Sequence, residues 1–213
     1  MNGLNLNLTS IILSIVPILF HLTLHEWAHG FAAYQLGDMT AKNAGRLSIN
    51  PLRHLDPIGT FMLLFCGFGY AKPVPVNMYN FKHPKRGMAI TAAAGPAMNI
   101  LLACIAAFIM GITSKSISAN STTYVMIQQM IRIGASLAVF NLIPIPPLDG
   151  SKIVLSFFPD SAYNRLINGS TVTGIILMVL LFTGIIYGPL YIASNWIIDK
   201  ILIFQKLGML LVP

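Results

Sequence analysis

The chain has 213 residues, of which 55% are hydrophobic and only 9% charged, with a formal net charge of +7 and a mean hydropathy of +0.74. Ordinary soluble domains carry about a quarter charged residues, so a soluble globule is excluded and a bilayer is the expected solvent. The 13 basic residues lie in short segments between apolar runs, a pattern that reports orientation in a membrane rather than nucleic-acid binding.

Residues 8–36 form the first helical candidate, almost wholly apolar from Ile11 to Phe20 and closed by Gly37. Residues 37–57 are polar and turn-rich. Ile58 to Tyr70 is apolar, but a run this short cannot cross a bilayer that needs about 20 helical residues, so it reads as re-entrant or buried in protein. Pro73, Pro75 and Pro84 make residues 71–86 a loop or a set of short extended pieces. Second and third spans are expected over 87–113 and 122–143. Pro144, Pro146 and Pro147 then stop the helix before Asp149 and Gly150. A fourth span is expected over 171–194, and 195–212 either crosses or lies in the interface. Cys66 and Cys104 sit in apolar runs and read as free thiols. The expected fold is a single membrane-embedded domain over 1–213: an all-α, multi-pass bundle of about four to five spans in the cell membrane.

Charge sets the orientation. With the first span running from outside to inside, residues 37–86 are cytoplasmic and hold Lys42, Arg46, Arg53, Lys72, Lys82, Lys85 and Arg86. The external link 114–121 then holds only Lys115, as the positive-inside tendency requires. The arrangement demands that 58–70 does not cross.

The chemistry centres on His25-Glu26-Trp27-Ala28-His29. Residues four apart share a helix face, so His25 and His29 present two imidazoles to one zinc ion, with Glu26 beside them to act as general base. Glu26 is the only glutamate in the chain. Ionisable groups inside an apolar run are costly, and there they mark function more often than packing. A catalytic zinc needs a third protein ligand and an open position. Asp149 is the favoured candidate, because the prolines before it free its backbone from helical geometry. Asp56 is an alternative, and Asp149 could instead cap the helix that follows it. His21 lies one turn before His25, and three residues along a straight helix do not converge on one ion, so His21 is expected behind the ligands or in packing. His54 is a substrate-binding group, a support for the ligands or a plain loop histidine; His83 is expected to face solvent. Asn99, within Gly95-Pro96-Ala97-Met98-Asn99, and Asn141 each need a partner at depth. Either could bridge helices, and the Asn141 amide could also donate to a developing oxyanion.

Together, His25 to His29, Gly95-Pro96-x-x-Asn99 and Asn141-x-x-Pro-x-x-Pro-Leu-Asp149-Gly resemble the site-2 protease family, in its compact bacterial type without regulatory domains. Gly45 to Gly59 and Ala71-Lys-Pro-Val-Pro-Val76 are also similar to family members, and the likeness covers about residues 20–155. It implies His25, His29 and Asp149 as ligands of one zinc ion per chain and Glu26 as the base. It also implies cleavage of transmembrane protein or peptide substrates near the cytoplasmic side, and a small membrane-associated β element after the first helix. An edge near 40–50 or 71–77 could hold an unwound substrate by strand addition. A zinc-binding transporter shares the polar residues at depth and the broken helix but has no need of Glu26. A non-catalytic membrane scaffold would not need the intact motif.

Overall fold

The computed structural model describes residues 8–66, 69–119, 121–161, 163 and 169–212. The chain begins with α1, Leu8–Gln35. Gly37 ends it, with φ 102°, and the Asp38 amide donates back to the Ala33 carbonyl at 2.9 Å. This closure needs a left-handed residue, which glycine supplies without a Cβ clash. A short helix α2, Thr40–Asn43, and a 3-10 turn at Pro51–Arg53 follow.

Helix α3, Pro57–Cys66, starts where Asp56 accepts from the amides of Ile58 and Gly59 at 3.0 and 2.9 Å. The run over 58–70, expected to be re-entrant or buried in protein, thus opens with a ten-residue helix, in which Ile58 is 65% and Phe61 59% exposed. The side chain of Cys66 lies outside the described residues, while Cys104 is a half-buried free thiol.

Helix α4, Pro84–Ile112, opens with proline in its first turn, where a missing N–H costs nothing. Helix α5, Thr122–Asn141, is capped by the Ser121 hydroxyl, which accepts from the Tyr124 amide. The helices expected at 8–36, 87–113 and 122–143 thus form. After the proline break comes α6, Asp149–Leu155. The expected continuous helix over 171–194 does not form. Instead α7, Ser170–Phe182, and α8, Tyr187–Leu210, meet at a bend of 87°, where Gly184 takes φ 75°.

Helix α4 is the hub, packing against α1, α5, α6 and α8. Its small residues permit this. Ala103, Ala106, Ala107 and Met110 join Ile131 and Ala135 of α5 and Ile201 of α8 in one buried cluster. A Cβ on Gly208 would lie 2.4 Å from the Phe108 carbonyl oxygen, so α4 and α8 meet backbone to backbone, as helices in membranes do through small residues. The outer faces are apolar. Leu101, Ile105, Ile109 and Ile112 run down α4, and Val172, Ile175, Ile176, Val179 and Phe182 down α7, all exposed. Contiguous apolar stripes of this kind suit lipid and not water.

By length and composition, α4 alone qualifies as a complete span among the described residues, and the bent pair Thr171–Phe182 with Tyr187–Leu210 qualifies only together. No strand forms among the described residues, and the expected β element reduces to an isolated bridge between Leu55 and Ala71. Pro73 and Pro75 have no N–H to give to a ladder. The stretch 71–76 instead runs as an extended strap held by single hydrogen bonds.

Candidate metal centre

His25 and His29 project from one face of α1 into α4. Gly95 of α4 makes the space: a Cβ there would lie 2.4 Å from His29 Nε2 and 2.6 Å from His25 Cε1. Gly95 is thus the floor of the site. The His29 ring is fixed by its other nitrogen, as Nδ1–H donates to the Thr91 carbonyl at 2.7 Å. That bond leaves Nε2 as a lone pair. Thr91 carried no signal in the sequence, because a backbone carbonyl as partner is indifferent to residue type.

Asp149 arrives from the far side. Pro144, Pro146 and Pro147 turn the chain after α5, and Gly150 lets it close up, since a Cβ at 150 would lie 2.1 Å from the Leu142 carbonyl oxygen. Asp149 is the first residue of α6, and no side-chain cap bond forms there. Its carboxylate points across to α1 instead. Oδ2 lies 3.2 Å from His25 Nε2 and 3.1 Å from His29 Nε2, and the two imidazole nitrogens are 3.0 Å apart. Oδ1 meets Lys152 Nζ at 3.3 Å. All three converging side chains are buried.

Three electron-pair donors directed at one point repel unless a cation or proton lies between them. Donor atoms on neighbouring corners of a tetrahedron with bonds of 2.0–2.1 Å are about 3.3 Å apart, close to the separations found. His25, His29 and Asp149 are the one such group among the described residues. The residues therefore fit a tetrahedral metal ion with its fourth corner left open.

The three side chains line a cleft of about 330 Å³, together with Glu26, Asn141, Lys152 and the strap residues Pro73, Val74 and Val76. Glu26 is half-buried, and its Oε2 accepts from the Val74 amide at 2.8 Å. One carboxylate oxygen is thus tied to the strap. Asn141 donates one amide hydrogen to the Leu137 carbonyl at 3.0 Å and has a second to offer.

The remaining candidates lie behind or away from the cleft. His21 and Asn99 are fully buried next to His25, with Asn99 Nδ2 3.1 Å from His25 Nδ1 and Asn99 Oδ1 3.2 Å from His21 Nδ1. His54 is not brought to the cleft. It is buried in the 48–54 loop, its Nε2–H donating to the Ser48 carbonyl at 2.6 Å. Asp56 caps α3, and His83 is exposed at the start of α4.

Comparison with known proteins gives the setting. Residues 109–185 match the model of peptidase family M50. The chain is 36% identical over 174 residues to the "Putative zinc metalloprotease YwhC" of Bacillus subtilis, covering 79% of this chain and 80% of that protein. The chain belongs to peptidase family M50. Relatives named "Putative zinc metalloprotease Rip2" are 28% identical over 193 residues in Mycolicibacterium smegmatis and 25% over 192 in Mycobacterium tuberculosis, each match covering 88% of this chain and 73% of the relative. No solved structure matches. The M50 model covers the proline break and Asp149 and begins beyond α1.

Proposed function

We propose that this M50 peptidase is a zinc-dependent intramembrane endopeptidase, with His25, His29 and Asp149 as the zinc ligands and Glu26 as general base. The observation that carries the reading is the convergence of two imidazole nitrogens and a carboxylate oxygen, 3.0–3.2 Å apart, in the cleft that also holds Glu26. Zinc, when bound, supplies a Lewis acid that polarises the scissile carbonyl and acidifies a water. Glu26 Oε1, the oxygen not engaged by Val74, takes one proton from the attacking water. The water oxygen bonds to the carbonyl carbon, the second N–H of Asn141 donates to the developing oxyanion, the C–N bond breaks, and Glu26 returns the proton to the leaving nitrogen.

The substrate in this reading is a transmembrane protein or peptide, unwound locally and laid along the extended strap 71–76, with cleavage near the cytoplasmic side. The enzyme itself crosses the membrane several times. Apolar outer stripes on α4 and α7 support a lipid environment. Helix α3, at ten residues or about 15 Å, is too short to cross a hydrocarbon core of about 30 Å, which keeps the basic stretch 37–86 on one side.

Metal analysis beside a cleavage assay tests the assignment. Glu26→Gln retains zinc and loses cleavage by about 10²–10⁴-fold, because the base is not a ligand. His29→Ala and Asp149→Ala lose both. Cleavage by Glu26→Gln at the wild-type rate, or full zinc in Asp149→Ala, would overturn the roles given to those residues.

A further inference from the structure

His25 poses a problem that His29 does not. The Nδ1 of His29 donates to a backbone carbonyl, so its tautomer is settled. The Nδ1 of His25 faces only the side-chain amide of Asn99, at 3.1 Å. Behind Asn99 stands His21, with Nδ1 3.2 Å from the amide and Nε2 2.9 Å from the Met130 carbonyl of α5. The oxygen and nitrogen of a side-chain amide have nearly the same shape, so their assignment follows from the proton inventory.

With nitrogen toward His25 and oxygen toward His21, two conflicts arise. His25 accepts at Nδ1, so the proton of the neutral ring sits on Nε2, the atom facing His29 and Asp149. His21 must donate from both nitrogens and becomes a cation with no carboxylate beside it. With the amide turned over, both conflicts vanish. His25 Nδ1–H donates to Asn99 oxygen, Asn99 N–H donates to His21 Nδ1, and His21 Nε2–H donates to the Met130 carbonyl. Every polar atom is satisfied and both rings are neutral.

We propose that Asn99 and His21 are positioning residues for His25, forming a one-directional hydrogen-bond chain from α1 through α4 to the Met130 carbonyl of α5. The chain holds the proton of His25 on Nδ1 and turns the Nε2 lone pair toward the metal. The proposal rests on the reading of His25 as a ligand. The packing is built for it. His21 and Asn99 are both 0% exposed, and Gly134 of α5 leaves the slot that His21 fills, since a Cβ there would lie 2.4 Å from His21 Cε1.

The test uses the full chain in detergent. Zinc affinity is measured by chelator competition for wild type, His21→Phe, Asn99→Leu and Asn99→Asp, and ring nitrogen NMR is recorded on histidine-labelled protein, with His21→Phe identifying the His21 signals. His21 is expected to be neutral with its proton on Nε2, a signature that mere packing would not impose. His21→Phe and Asn99→Leu should weaken zinc by about 10–100-fold, the usual effect of removing a ligand's hydrogen-bond partner. Asn99→Asp still accepts from His25 and should retain most of the affinity. A His21 proton on Nδ1, wild-type affinity in His21→Phe, or Asn99→Asp as weak as Asn99→Leu would each overturn the chain. Should His21→Phe fail to fold, the two Asn99 variants decide. Wild-type protein that takes up no zinc would instead refute the metal centre, and the His21 ring spectrum would still report on the chain.

Discussion

Single residues show how far a sequence reaches. His25 and His29 are legible as a pair because helical period puts them on one face, and Glu26 follows His25 directly and lines the same cleft. Asp38 is not legible in this way. Along the chain it is only an acid about 13 Å beyond His29, yet in the fold it is fully buried and gathers the loop that follows the strap. It accepts from the Thr40 amide and hydroxyl, from the Asn77 amide at 2.7 Å and from the Asn80 side chain at 2.7 Å, and two of these partners lie about forty residues away in sequence. Burial pushes the Asp38 carboxyl up, but the hydrogen bonds from Thr40, Asn77 and Asn80 outweigh it and hold it below the ordinary carboxylate range. A group with a depressed folded pKa stabilises the fold above its unfolded pKa, and that stabilisation is lost as pH falls through the folded value. Asp38→Asn should therefore cost about 1 kcal/mol or more at neutral pH and lose less further stability on acidification than wild type does. Thermal unfolding in detergent over a pH series measures both, and parallel pH curves would show that Asp38 is not the titrating group.

Elements were legible where composition dictates them and illegible where they depend on distant contacts. Three prolines in four residues had to stop a helix after Asn141, and Pro73 with Pro75 had to keep residues 71–76 extended. What the strap touches could not be read. Its one amide between the prolines, that of Val74, donates to Glu26. Its ends are moored by Lys72 N–H to the His54 carbonyl and Arg46 to the Lys72 carbonyl on one side, and by Asn77 to Asp38 on the other. Of the expected β element, the described residues show the bridge between Leu55 and Ala71, and Pro73 and Pro75 have no N–H to extend it. The bend between α7 and α8 lies between two apolar runs, where Gly184 and the pair Gly188-Pro189 are the signals that mark it. Val74→Pro removes the donor and leaves the extended backbone. A hydrogen bond to a charged group contributes about 1.5–3 kcal/mol, so cleavage should fall about tenfold or more while zinc content stays at the wild-type level. Unchanged cleavage would mean that Glu26 does not depend on the strap.

For the molecule as a whole, composition points to a lipid solvent and charge proposes an orientation, while the packing order around α4 came only from the fold. In the topology proposed above, the seven basic residues between 37 and 86 lie on the cytoplasmic side, and helix α3 is too short to carry the stretch across. Cysteines introduced at Lys82 and at Lys115 should react with impermeant reagents from opposite sides of the membrane. Labelling of both from one side would reverse or break the topology.

The bond between Val74 and Glu26 has one more consequence. Because the chain contains a single glutamate, a sample labelled with carbon-13 at the glutamate side-chain carboxyl carries one labelled carboxylate per molecule. In a labelled-minus-unlabelled difference spectrum, the shifted carboxylate band therefore belongs to Glu26. The frequency of that band reports the Val74 hydrogen bond, so a peptide that binds along the strap and leaves the bond intact should leave the band in place, an outcome visible without waiting for a bond to be cut.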